Sequence, residues 1–335
     1  MSKPKIAITI GEVAGIGPEI VLKSIVEGSI LEHCEPVVIG NLGVLERIQG
    51  VLGTQVEFRT ISDIDEAKWG TSQINLISID NIPEASYSPG FPNAITGKAM
   101  IEYTELAVRL CLEHKVQGAV GGPHSKKAAD DAGIFFDGYP GLIAKQTGSR
   151  YPFLMLASKN LRVVNTTLHV SVREACNMIT KELVLEAIKA GNDAVKTFGI
   201  TKPKIAVAGL NPHAGEGGMF GDEDEKYISP AVLSARELGI DAHGPLPADS
   251  LFFNTESGKY DLYVAMYHDQ AHIPVKVLAF KEASAVAIGV PINWATVDHG
   301  CALDIAWKNV ADASVITHTI KLVSERANSY VEIGK

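Results

Sequence analysis

The chain lacks any long hydrophobic run. Its longest stretch without a charged residue is Ala283 to Val297, 15 residues that include a Pro and an Asn. A membrane-spanning helix needs about 20 mostly apolar residues, so no span is expected. The opening Met1-Ser-Lys-Pro-Lys5 leads into only Ile6–Ile10 before Gly11-Glu12, which is too brief for the core of a signal peptide. Cysteine is scarce: Cys34, Cys111, Cys176 and Cys301 are far apart, with no C-x-x-C pair. That spacing fits reduced thiols and excludes a cysteine zinc knuckle. Any metal would therefore fall to histidines and carboxylates. No block of Lys or Arg occurs, and 30 basic residues face 39 acidic ones for a net charge of −9. A sequence-independent grip on nucleic-acid phosphates is thereby disfavoured. These absences point to a soluble cytoplasmic protein with neither membrane nor nucleic acid as partner.

What the chain does contain is globular. The hydrophobic share of 46% and charged share of 21% match folded domains rather than disordered or fibrous chains. At about 150 residues per domain, 335 residues suggest two domains. Short β-branched runs alternate with longer amphipathic stretches, the pattern of an α/β protein with a largely parallel sheet. Strands are expected at 6–10, 36–39, 56–60, 74–79, 118–121, 153–157, 161–170, 205–208, 262–266 and 285–288. Helices are expected at 18–27, 96–114, 182–198, 230–238 and 313–330. There is no internal repeat.

Gly11-Glu-Val-Ala-Gly15-Ile-Gly17-Pro-Glu-Ile20 lies between the first strand and the first helix. It is neither G-x-G-x-x-G nor a P-loop. It reads either as a loop whose backbone approaches a ligand or as an ordinary strand-to-helix turn.

Three histidines share a context. His169, His213 and His268 each follow an apolar run, where α/β proteins place their ligands. Alternation along Val163-Val-Asn-Thr-Thr-Leu-His169 puts Val163, Asn165, Thr167 and His169 on one face. Three neutral imidazoles with one open position suit zinc or a similar divalent ion. Each histidine alone is equally at home as a structural residue. Asp249, in Gly244-Pro-Leu-Pro-Ala-Asp249, could deprotonate a hydroxyl or simply cap a turn. Lys126 and Lys276 could hold an anionic group or be solvated. Asp298-His299-Gly300 sits between an apolar strand and a helix, where His299 could cap the helix or touch a cofactor.

Together, Gly15-Ile-Gly17-Pro-Glu, Gly209-Leu-Asn-Pro-His-Ala-Gly-Glu-Gly217, Gly244-Pro-Leu-Pro-Ala-Asp249, Ala265-Met-Tyr-His-Asp-Gln270 and Val297-Asp-His-Gly300 resemble the 4-hydroxythreonine-4-phosphate dehydrogenase family of pyridoxal phosphate biosynthesis. The match spreads in order over nearly the whole chain. It implies two α/β/α lobes like those of isocitrate and isopropylmalate dehydrogenases, with the active-site cleft between them. Residues 1–130 with 300–335 would form the first lobe. Residues 131–299 would form the second, carrying the metal histidines and the dimer interface. It implies NAD or NADP bound without a Rossmann loop, near Asp298, His299 and Gly300. It also implies a divalent ion (zinc, with magnesium, cobalt or nickel as alternatives) held by His169, His213 and His268 across a homodimer with a shared active site. Asp249 would take the alcohol proton, Lys126 would be the second catalytic residue, and the oxidised acid would then lose carbon dioxide.

The resemblance breaks where the family holds phosphate. Tyr139 and Pro140 replace a His and a Thr, and Ala285 and Trp294 replace an Asn and an Arg. Of the family's phosphate ligands only Lys276 persists. These substitutions resemble instead the branch that oxidises cis-dihydrodiols of aromatic carboxylates, such as terephthalate dihydrodiol, with Tyr139 and Trp294 receiving a flat ring. Lys126 follows the biosynthetic branch. The leading expectation is a dehydrogenase for an unphosphorylated hydroxy-carboxylate. The alternative is the phosphate-specific biosynthetic enzyme, and a metal-dependent hydrolase on the same histidines is the reading from another class.

Overall fold

A computed structural model describes residues 3–253 and 255–333. Its strands are β1 (Lys5–Thr9), β2 (Glu35–Gly40), β3 (Phe58–Ile61), β4 (Ile74–Ser78), β5 (Gly118–Gly121), β6 (Phe153–Ala157), β7 (Arg162–Asn165), β8 (Lys204–Ala208), β9 (Asp241–Leu246), β10 (Leu262–Ala265), β11 (Ser284–Ile288) and β12 (Trp294–Val297). The α-helices are α1 (Gly17–Val26), α2 (Leu42–Leu52), α3 (Ala94–Leu112), α4 (Lys126–Asp131), α5 (Tyr139–Thr147), α6 (Val172–Met178), α7 (Lys181–Lys196), α8 (Ser229–Glu237), α9 (Ala248–Leu251), α10 (His268–Ala279) and α11 (Ser314–Ile333). Among the described residues no helix is long and apolar enough to cross a membrane.

The chain divides into two compact units, Met1–Thr147 with Pro291–Lys335, and Gly148–Val290. Both boundaries differ from the expected 130/131 and 299/300. Helix α5 packs on α3, and β12 pairs in parallel with β5 through Trp294–Ala119 and Thr296–Gly121. Both elements therefore belong to the first unit.

In the first unit the strands run β3-β4-β2-β1-β5-β12, every pairing parallel. Ile6, Ala7 and Ile8 have no exposed surface, as expected where helices cover a parallel sheet. Helix α3 starts in a capping box, with the Asn93 side chain taking the Thr96 N–H and Thr96 Oγ1 taking the Asn93 N–H. Such a box satisfies donors that a helix start otherwise leaves orphaned. Its Tyr103–Ala107–Leu110 stripe is buried as read from the sequence, and it packs on β1, β2 and β5.

In the second unit the order is β11-β6-β7-β10-β8-β9. The β11–β6 and β6–β7 pairings are antiparallel, and the other three are parallel. Helix α7 covers β6, β7, β8, β10 and β11, while α10 packs on β6, β7 and β10. The expected strand 161–170 stops at Asn165. Its neighbour β10 itself ends at Ala265 and turns into α10. Only Thr166 and Thr167 still find carbonyl partners there, on Ala265 and Met266, so the alternation expected out to His169 does not hold.

Candidate active site

In the second unit β7, β10 and β8 are parallel neighbours, with Val164 opposite Val264 and Val264 opposite Val207. Their carboxyl ends therefore open on one edge of the sheet. His169 follows β7, His213 follows β8, and His268 opens α10 directly after β10. The rings of His169 and His268 stand 5.9 Å apart between centroids.

Two side chains, Asp224 buried and Gln270 half-buried, hold these exits in place. The Asp224 carboxylate, with no exposed surface, accepts the Leu210 N–H at 2.8 Å and the Asn211 N–H at 3.0 Å, one on each oxygen. Gln270 accepts the Met266 N–H at 2.7 Å and donates to the Gly209 carbonyl at 2.8 Å, tying the β10 exit to the β8 exit. The loop so anchored is strained: His213, Ala214 and Glu216 have φ of 55°, 56° and 45°. Left-handed backbone at non-glycine residues is uncommon and clusters at functional sites. Sequence reading overlooked Asp224, since its partners are backbone amides in a loop thirteen residues or more away.

The donor chemistry suits a divalent ion. His213 Nδ1 lies 2.8 Å from Glu216 Oε2, and His268 Nδ1 lies 2.7 Å from Asp269 Oδ1. A carboxylate on Nδ1 fixes the proton there and leaves Nε2 as the basic nitrogen, the usual backing of a metal-ligating imidazole. Among the described residues no three His, Cys, Asp or Glu side chains come close enough to hold an ion. One chain brings His169 and His268 together and does not complete a set with His213.

Asp249 is exposed on α9. Lys276 is in the last turn of α10 with its ammonium 5.1 Å from the centre of the Phe280 ring. Ala285 is 4% exposed in a core cluster with Leu156, Leu161 and Tyr263, so it lines no open pocket.

The first unit has its own convergence, at the exits of its neighbouring strands β1, β5 and β12. Glu12 N–H donates to the Pro123 carbonyl at 2.8 Å, Ile16 N–H to that of Cys301 at 3.0 Å, and Trp307 Nε1 to that of Val13 at 2.9 Å. Gly11 has φ +67°, and a Cβ there would stand 2.3 Å from the Pro123 oxygen. The glycine-rich turn is therefore packed against the protein's own backbone. Lys126 begins α4 half-buried. Burial lowers its pKa, with the Asp137 charge opposing.

Tyr139 and Trp294, expected to receive a flat ring, are core residues instead. They are 1% and 0% exposed, with ring centroids 5.2 Å apart. The Tyr139 hydroxyl donates to the Gly122 carbonyl at 2.6 Å, and its ring meets His124 and Phe136 edge-on. Pro140, half-buried, follows in the first turn of α5. Asp298 and His299 are half-buried and Gly300 exposed, just beyond β12. His299 caps no helix: Ala302, Trp307 and Asn309 have φ of 42°, 60° and 59°, which keeps the chain irregular until α11. Its Nδ1 lies 3.0 Å from the Gly300 oxygen.

The chain is similar to known dehydrogenases over its whole length. A putative D-threonate 4-phosphate dehydrogenase of Fusobacterium nucleatum is 38% identical over 99% of both chains. A 4-hydroxythreonine-4-phosphate dehydrogenase of Desulforapulum autotrophicum is 38% identical over 97% of this chain and 96% of that one. Among solved structures, a 4-hydroxythreonine-4-phosphate dehydrogenase from Burkholderia phymatum superposes with a TM-score of 0.84 at 38% identity, covering 97% of this chain and 99% of that one. A terephthalate 1,2-cis-dihydrodiol dehydrogenase from Burkholderia xenovorans gives 0.68 at 32% identity, covering 96% and 98%. The model of the family described as pyridoxal phosphate biosynthetic protein PdxA matches residues 32–323. The chain is an oxidoreductase acting on a CH–OH group, and it belongs to the PdxA family.

Proposed function

We propose that the chain is an NAD(P)- and divalent-metal-dependent dehydrogenase for a four-carbon hydroxy acid phosphorylated at C4, of the D-threonate 4-phosphate or 4-hydroxythreonine 4-phosphate type. The carrying observation is the match to relatives named for those phosphorylated substrates at 38% identity over nearly the full length of each chain. These relatives favour a phosphorylated substrate over the unphosphorylated aromatic one. The residues that favoured a ring, Tyr139 and Trp294, lie in the core.

His169, His213 and His268 would hold the ion, zinc being the element their imidazoles suit best. A divalent ion bound there supplies a Lewis acid that lowers the pKa of the substrate alcohol. Asp249 accepts that alcohol's proton, and Lys126 and Lys276 face anionic groups of the substrate. Asp298, His299 and Gly300 line the cofactor. A two-fold dimer through the second unit completes the histidine set. Its support is the apolar surface of α10 beyond His268, where Ile273 and Val277 are 61% and 77% exposed, with Phe280 after it at 65%. Such surface is unusual on a monomer.

The test follows reduced cofactor in the presence of a divalent ion, with NAD or NADP and each of the two phosphorylated acids, their unphosphorylated forms and an aromatic dihydrodiol carboxylate. Turnover of a phosphorylated acid supports the reading; turnover of the dihydrodiol alone overturns it.

A further inference from the structure

The imidazole of His272 lies flat on that of His268, with centroids 3.7 Å apart and planes 7° from parallel. His272 is one helical turn beyond His268 on α10, and residues four apart share a helix face. Its Nδ1 lies 3.0 Å from the His268 carbonyl oxygen, which makes Nδ1–H the donor and sets the ring's rotation. His268 is therefore held on its edge by Asp269 Oδ1 at 2.7 Å and on its face by His272. His169 stands 5.9 Å away, between centroids. A His268 ring free to rotate would present Nε2 over a range of directions, and metal affinity depends on presenting it in one.

We infer that His272 is a positioning residue for His268, fixing the plane in which that imidazole meets a divalent ion. This rests on the reading of His268 as a metal ligand. The hydrogen bond to the helix's own carbonyl orients the His272 ring, and the stacked ring orients His268.

The experiment is calorimetric titration of the full chain with Co²⁺ alone, without substrate or cofactor, alongside the visible absorption of bound cobalt. His272→Phe keeps a flat ring, whereas His272→Asn keeps a donor and loses the ring. His272→Asn is expected to weaken Co²⁺ binding by about 10- to 100-fold, the range for losing an outer-shell partner, and to shift the cobalt spectrum. His272→Phe is expected to recover most of the affinity. A merely structural role would lower the melting temperature of both variants and leave affinity and spectrum unmoved, which overturns the inference. If His268→Ala also binds Co²⁺ as the unaltered chain does, the metal-ligand reading itself fails, and the inference fails with it. If His268→Ala loses binding while His272→Asn keeps it, the inference alone fails.

Discussion

The two oxygens of Asp224 divide their work: one takes the Leu210 N–H at 2.8 Å and the other takes the N–H of Asn211 at 3.0 Å. This carboxylate, without exposed surface, is what holds the left-handed loop of His213 against the end of β8. Replacing it by Ala strands the half-buried Leu210 and Asn211 amides, each costing up to about 1–3 kcal/mol. Asp224→Ala is expected to lower unfolding stability in urea by about 1–3 kcal/mol and to weaken divalent-metal binding. A variant with unchanged stability and metal affinity would show that the loop is held by other means.

Glu12 gives the enzyme a pH dependence of predictable sign. Burial raises its carboxyl pKa above 4.5, outweighing the lowering by the Ala14 N–H and by the Thr96 side chain. The folded chain therefore keeps this proton to higher pH than the unfolded chain does. Stability falls as pH rises from about 4.5 through the raised folded value, then levels off. Glu12→Gln retains an oxygen for the Ala14 N–H, which Glu12 Oε1 accepts at 3.0 Å, and carries no titrating proton. Urea unfolding from pH 4 to 8 is expected to show a shallower loss for Glu12→Gln than for the unaltered chain. Parallel profiles would contradict this.

Trp294 is expected to behave as core. Its indole packs on Tyr139 and stands where a Cβ on Gly121 would touch it at 3.0 Å. Trp294→Ala is expected to cost about 3–5 kcal/mol, as large-to-small core changes do. Trp294→Arg should be comparably destabilised, without gain for a phosphorylated substrate. A Trp294→Ala enzyme that melts normally yet loses substrate affinity would return the ring to the site.

What could be read from the residues, and what could not, follows from local chemistry. Strands β1, β4, β6, β8 and β10 are apolar runs bounded by turns, and each has a strand on both sides within its unit's sheet, which makes that pattern unmistakable. Strand β9 contains His243-Gly244-Pro245 and lies at the edge of its unit's sheet, where Pro is tolerated and the apolar signal vanishes. Helix α10 carries Pro274, a residue that argues against a helix interior, so the sequence hid the element bearing His268, His272 and Lys276. The three histidines stood out because each follows a buried strand. Tyr139 and Trp294 were misread because an aromatic side chain suits a packed core as well as a ring-binding slot. Asp224 could not be found at all, for its partners are main-chain groups.

The proposed oxidation of a phosphorylated four-carbon acid is tested most directly by the ratio of kcat/KM for D-threonate 4-phosphate and 4-hydroxythreonine 4-phosphate to that for each acid without its phosphate. Charge-assisted hydrogen bonds are worth about 1.5–3 kcal/mol each. Two such contacts to phosphate, Lys276 among the candidates, predict a ratio on the order of 10² to 10⁴ for at least one pair. A ratio near one for both pairs, with an aromatic dihydrodiol carboxylate turned over faster than either phosphorylated acid, would contradict the account.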